Sequence, residues 1–215
     1  MSHATLANHS RVPSRDSNPF ATCWTRPGAL LYRFPADMSA EGLLDKLATL
    51  NWRAAITGPH GSGKSTLLET LKPLLTGAGK EIVASTLRDR ERRLPDEQVR
   101  ARQIAISTHG PDRVVAIVDG YEQLGCFERW RLIRRCRRAG CGLIVTAHAP
   151  TCLPTLIKLA PDRALIMQLV SDLCGEVSNC ITPEIVAASH ACHGSNVREI
   201  FFDLYDRYER SRRMT

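Results

Sequence analysis

Gly58-Pro59-His60-Gly61-Ser62-Gly63-Lys64-Ser65, followed by Thr66, sets three glycines, a lysine and a hydroxyl at a spacing suited to gripping a chain of phosphates. The glycines let the backbone curl until successive N–H groups converge on one anion. A helix opening near Lys64 adds the positive end of its dipole. Lys64 then reaches the β- and γ-phosphates, and Ser65 supplies an oxygen to a magnesium ion. The eight residues meet G-x-x-x-x-G-K-[ST] in full, so the expected ligands are a nucleoside triphosphate and Mg²⁺. Gly58, Pro59, His60, Gly61, Ser62, Gly63, Lys64, Ser65 and Thr66 form the cradle.

Two further clusters suit the same chemistry. Asp119 ends the apolar run Val114–Val118, where a carboxylate holds magnesium, often through water. The expected metal ligands are therefore Ser65 and Asp119. Glu122 follows three residues later in Asp-Gly-Tyr-Glu; if Gly120-Tyr121 turns, its carboxylate overlies the γ-phosphate as the base that polarises water, the other reading being a surface position or a helix cap. The run Leu143-Ile144-Val145 ends in Thr146, Ala147 and His148. Thr146 and His148 are both candidates for a polar tip beside the γ-phosphate, and the imidazole suits a group that reports charge.

These residues need elements to carry them. Arg53–Thr57 is a short apolar strand before the loop, and a helix runs from Ser65 to about Leu75. Glu81–Thr86, Val114–Val118 and Gly142–Thr146 are further strands. They alternate with helices at about Asp96–Ser107 and Cys126–Ala139. Thr155–Leu159 reads as a short helix and Ala164–Val170 as a fifth strand. Strands alternating with helices argue for an α/β fold, a mainly parallel sheet between two helical layers. Residues 1–20 are polar and read as a disordered tail, and residues 21–50 as an arm with a helix capped by Ser39. Residues 51–175 make the α/β core, and 180–215 a two-helix, lid-like appendage. Its last helix carries Val197, Ile200, Phe201, Leu204, Tyr205 and Tyr208 on one stripe.

Phosphate loop, Asp119 with Glu122, and the Thr146/His148 tip together resemble the division of P-loop ATPases that inserts an extra strand between the loop strand and the magnesium strand. That resemblance spans about residues 52–205. It implies a three-layer P-loop NTPase fold with Gly142–Thr146 next to the loop strand, ATP as ligand, and water attack dependent on Glu122. Within the division, Gly194-Ser195-Asn196-Val197-Arg198-Glu199-Ile200 is similar to the helical lid of AAA+ activators, with Ser195 inserted. The similarity implies that Arg198 reaches the nucleotide, and that Arg163 serves a neighbouring subunit. ABC ATPases are a weaker match: the loop, His148 and Tyr32, as an adenine-stacking ring, fit, but no Leu-Ser-Gly-Gly-Gln occurs. No Asn-Lys-x-Asp is present, which favours ATP over GTP.

A net charge of +7 mildly favours anionic partners. Arg131, Arg134, Arg135 and Arg138 share one stripe of their helix, beside an apolar stripe of Phe127, Trp130, Ile133 and Cys136. Like charges at these spacings repel by about 0.2–0.5 kcal/mol per pair, which a nucleic acid or acidic protein would relieve. A plain solvated face is the other reading, and exposed aromatics for stacking bases are not expected here. A partner protein or homo-oligomer is the expected output. Eight cysteines without a Cys-x-x-Cys pair, no apolar run of about 18 residues and no basic head before an apolar stretch point to a cytoplasmic protein with reduced thiols and no membrane span. A small-molecule kinase, using Arg88, Arg90, Arg92 or Arg93 as a lid, and a regulatory module with little turnover are the alternative readings.

Overall fold

Val114–Val118 and Leu143–Val145 are apolar without alternation, as strands covered on both faces must be. The computed structural model, which describes residues 18–35, 38–175 and 180–214, uses them in that way. Five strands make one parallel sheet among the described residues: β1 (Arg53–Thr57), β2 (Glu81–Thr86), β3 (Val114–Asp119), β4 (Gly142–Ala147) and β5 (Thr155–Lys158). The order across the sheet is β2-β3-β4-β1-β5. The strand expected between loop strand and magnesium strand is β4, pairing Arg53 with Leu143 on one side and Val115 with Gly142 on the other. The register brings the C-terminal ends of β1, β3 and β4 to one edge, with Thr57 beside Ala147 and Val118 beside Val145.

The chain divides into two compact units. One runs from Leu31 to Ala160; the other joins the described residues through Leu30 with those from Pro161 onward. In the first, alternate strand residues serve opposite faces. Ala54, Ile56, Val115, Ile117 and Ile144 pack with α2 (Ala40–Thr49) and α3 (Lys64–Gly77). Ala55, Ala116, Val118, Leu143 and Val145 pack with α5 (Cys126–Ala139), while α4 (Asp96–His109) lies against the same layer through Ala105 and Ile106. Ser39 caps α2 by accepting from the Gly42 N–H.

Two elements differ from the sequence reading. Thr155–Lys158 is the fifth strand, not a helix, and the segment expected as that strand is α6 (Arg163–Cys174). Asp162 starts α6 by accepting the Leu165 N–H at 2.8 Å. Ile166, Leu169, Val170 and Leu173 then fall on one buried stripe with helical spacing. The run Ala-Leu-Ile-Met is apolar enough to read either way, and the cap decides it.

The second unit therefore holds α6 as well as α7 (Pro183–His193) and α8 (Val197–Met214), with a short α1 (Thr22–Thr25). Most of the tail reading, residues 1–17, lies outside the described residues. Residues 18–20 are ordered, against expectation. Phe20 is 1% exposed, its ring 6.0 Å from Phe201, and Asn18 Nδ2 donates to the Tyr205 carbonyl and to Glu209. On the α8 stripe Val197, Ile200, Phe201, Leu204 and Tyr208 are buried, and Tyr205 marks its exposed border. Among the described residues no helix is long and apolar enough to cross a membrane.

Candidate functional site

The loop between β1 and α3 closes on itself. A Cβ on Gly58 would stand 2.7 Å from both the Leu159 carbonyl oxygen and Ser62 Oγ, so only glycine lets the chain leave β1 this close to the segment after β5. Gly61 and Gly63 take φ of 66° and 90°. Lys64, nearly buried, donates to the carbonyls of Gly58 at 2.8 Å and Pro59 at 2.6 Å. Ser62 Oγ is buried without a protein partner. Thr66 sits on the first turn of α3, its carbonyl bonded by Thr70.

At the end of β3 the Asp119 carboxylate is held from two sides. Ser65 Oγ donates to Oδ2 at 2.7 Å and Thr146 Oγ1 donates to Oδ1 at 2.6 Å. The Thr146 hydroxyl also accepts the Gly120 N–H at 2.8 Å. That bond fixes the turn after β3. Gly120 has φ 82°, and a Cβ there would meet the Leu87 carbonyl oxygen at 2.7 Å.

This turn, a short 3-10 segment over Tyr121–Gln123, carries the Glu122 side chain to the tip of β4. Oε1 of Glu122 lies 2.5 Å from His148 Nε2. His148 Nδ1 lies 3.4 Å from Lys64 Nζ, and its ring stacks on His60 with centroids 3.6 Å apart. A carboxylate only accepts, so Nε2 carries a proton toward Glu122, while Nδ1 faces the Lys64 ammonium and the ring also meets the Gly58 carbonyl. Burial, with Lys64 and His60 close by, holds the His148 imidazole below its usual range and outweighs the pull of Glu122 and of the Gly58 carbonyl. The second carboxylate oxygen, Glu122 Oε2, is buried and has no protein partner.

The structure thus gathers Lys64, Ser65, Asp119, Glu122, Thr146, His148 and His60 at one sheet edge. Tyr32 lies beside the loop: a Cβ on Gly63 would be 3.9 Å from its Cε2, and burial pushes its hydroxyl up to about 12. Arg129 escaped the sequence reading. Its guanidinium donates to the carbonyls of Glu122 at 2.5 Å and Leu124 at 2.8 Å and so splints the turn that carries Glu122. An arginine on the exposed-looking side of a basic helix gave no signal of this. Arg198 and Arg163 belong to the other unit, near the starts of α8 and α6. Arg88, Arg90, Arg92 and Arg93 are all exposed. On α5, Phe127 and Trp130 are not core residues as expected: they are 66% and 54% exposed, while Leu132, Ile133 and Cys136 are buried.

The residues fit a nucleotide with magnesium. The Ser62 hydroxyl lacks a protein partner inside the loop, Lys64 caps its carbonyls, and the hydroxyl of Ser65 and the carboxylate of Asp119 are hard oxygen donors brought together from two elements.

No protein-family model and no curated protein sequence matches the chain. Solved structures do. A DNA replication initiation factor superimposes with a TM-score of 0.51 at 13% identity, over 80% of this chain and 63% of that one. AMPPCP-bound DnaA from Aquifex aeolicus gives 0.49 at 14% identity, over 86% and 68%. PCH-2 from C. elegans gives 0.45 at 12%, over 90% and 73%. The chain spans less than two thirds of the length of the first of these structures. At such identity the likeness is one of fold alone: a five-stranded parallel α/β sheet flanked by helices.

Proposed function

We propose that the chain binds ATP with magnesium at Gly58–Thr66 and hydrolyses it, and that hydrolysis is coupled to a change of conformation or to control of a partner. The observation that carries the reading is the convergence of Lys64, Asp119 and Glu122 at one sheet edge, through Thr146 and His148. Backbone N–H groups of the loop and Lys64 take the phosphates. Ser65 and Asp119 would hold magnesium, whose charge would offset that of the phosphates.

Glu122 then acts on water. His148 donates from Nε2 to Oε1 and fixes the carboxylate, which leaves Oε2 to take the proton of the attacking water. Arg129 keeps the turn from straightening. Arg198 takes the role of nucleotide sensor that the similarity of Gly194–Ile200 to AAA+ lids implies. Eight free thiols suit a reducing cytoplasm.

The test is phosphate release from ATP and from GTP with magnesium. The reading expects turnover with ATP that Lys64→Ala abolishes; release unchanged in Lys64→Ala overturns it. A small-molecule kinase is separated by Glu122→Gln, which stops hydrolysis but spares transfer to an acceptor other than water. Tight ATP binding with no release, alone or with added partner fractions, marks the regulatory alternative.

A further inference from the structure

The outward face of α5 has no role in nucleotide chemistry. Phe127 and Trp130 lie on it with rings 5.9 Å apart and 30° from parallel, and both are more than half exposed. The Arg134 guanidinium lies 5.0 Å over the Trp130 ring, so the three side chains make one π platform. Arg131 and Arg138 share this face, with Arg135 and Arg137 at its flanks, all exposed. The helix carries a single acid, Glu128, 3.8 Å from Arg131. The buried side, Leu132, Ile133 and Cys136, accounts for how the helix is held to the sheet; it does not account for two solvated aromatic rings among five cations.

We infer that this face of α5 binds single-stranded nucleic acid, with bases stacked on Phe127 and Trp130 and phosphates taken by Arg131, Arg134 and Arg138. Two chemistries meet here that unpaired nucleic acid uses together. Arginines alone would suit any polyanion, including an acidic protein. Exposed flat rings interleaved with them suit unpaired bases, whose faces a duplex keeps stacked and hidden. From Phe127 to Arg138 the helix runs about 16 Å, enough to offer several successive contacts to one strand. Since every base has a π face, the binding is tolerant of sequence, and since phosphates carry the rest, it weakens steeply with salt. The inference stands apart from the nucleotide reading: none of these side chains belongs to the loop or its partners.

The experiment is fluorescence anisotropy of labelled twenty-nucleotide dT and rU strands against the full chain at 50 and 200 mM salt, with a duplex of the same length and poly-glutamate as competitors. Saturable binding of either strand is expected, the stronger of the two naming the natural source, and the duplex and poly-glutamate compete at least tenfold less well. Phe127→Ala with Trp130→Ala weakens binding by about five- to a hundredfold at unchanged salt slope. Trp130→Phe restores most of the loss, because it restores a ring. Arg134→Glu with Arg138→Glu weakens binding and flattens the salt slope. Circular dichroism checks that α5 persists in each variant. No binding of either strand at 50 mM salt overturns the inference. So does binding indifferent to loss of both rings, or competition by poly-glutamate equal to that of unlabelled strand, which would assign the face to an acidic protein.

Discussion

Replacing Thr146 by valine keeps the shape of the side chain and removes only the hydroxyl. That hydroxyl is 1% exposed as a residue, donates to Asp119 at 2.6 Å and accepts the Gly120 N–H at 2.8 Å. Loss of a hydrogen bond to a charged group costs about 1.5–3 kcal/mol, and an N–H left unpaired in a half-buried turn adds about 1 kcal/mol. The sum is about 3 kcal/mol. For a chain of this size each kcal/mol moves the midpoint by about 2–4 °C, so the transition of the unit Leu31–Ala160 falls by about 6–12 °C. Thr146→Ser keeps both bonds and loses one buried methyl, about 1 kcal/mol. The two variants separate the hydroxyl from the packing. Scanning calorimetry without nucleotide reads the stability. A magnesium titration of ATP turnover reads the site, because Asp119 loses the partner that orients it. Losing such an orienting bond raises the magnesium needed for half-maximal rate by about tenfold in Thr146→Val and leaves Thr146→Ser near wild type. If Thr146→Val melts within about 2 °C of Thr146→Ser and needs no more magnesium, the hydroxyl does not hold Asp119 and the reasoning fails.

Two other outcomes follow from the same geometry. The His148 imidazole is held neutral below its ordinary range, so the unfolded chain binds a proton that the fold refuses; stability from this group is full above about pH 6.5 and is lost as pH falls through that value. Denaturant melts between pH 5 and 7.5 should therefore show a slope that His148→Gln removes, and a slope of opposite sign would contradict the lowering of this imidazole by burial. Gly120→Ala puts a Cβ 2.7 Å from the Leu87 carbonyl at φ 82°, so the turn must shift. The expected result is a folded protein, destabilised by more than about 1 kcal/mol, in which ATP still binds but turnover drops at least tenfold because Glu122 is displaced.

The parts legible in the sequence are those where chemistry and spacing speak together. Gly58–Ser65 is a full motif whose flanking strand and helix are both where the backbone needs them, and Asp119 closes a run apolar enough to be a central strand. Other parts depend on distances between segments. The segment Ala164–Val170 is apolar enough to read as a strand, and the Asp162 side chain that caps it as a helix gives no signal in hydropathy. Phe127 and Trp130 fell on the wrong side of α5 because Leu132 joins Ile133 and Cys136 to set the buried stripe, and that choice belongs to the sheet beneath. The pairing of Glu122 with His148 joins residues 26 positions apart across two strand ends, and the Arg129 splint joins a helix to the turn before it. Neither leaves a mark in composition or periodicity.

The most direct test of the central claim is ATP retention and turnover in Glu122→Gln. Glutamine keeps the turn and a contact to His148 but has no carboxylate to take a proton from water. The expected variant binds ATP with magnesium at least as tightly as wild type, retains it unhydrolysed through gel filtration, and releases phosphate at least about a hundredfold more slowly. Turnover within a few-fold of wild type would contradict the claim and remove Glu122 from the chemistry of this site.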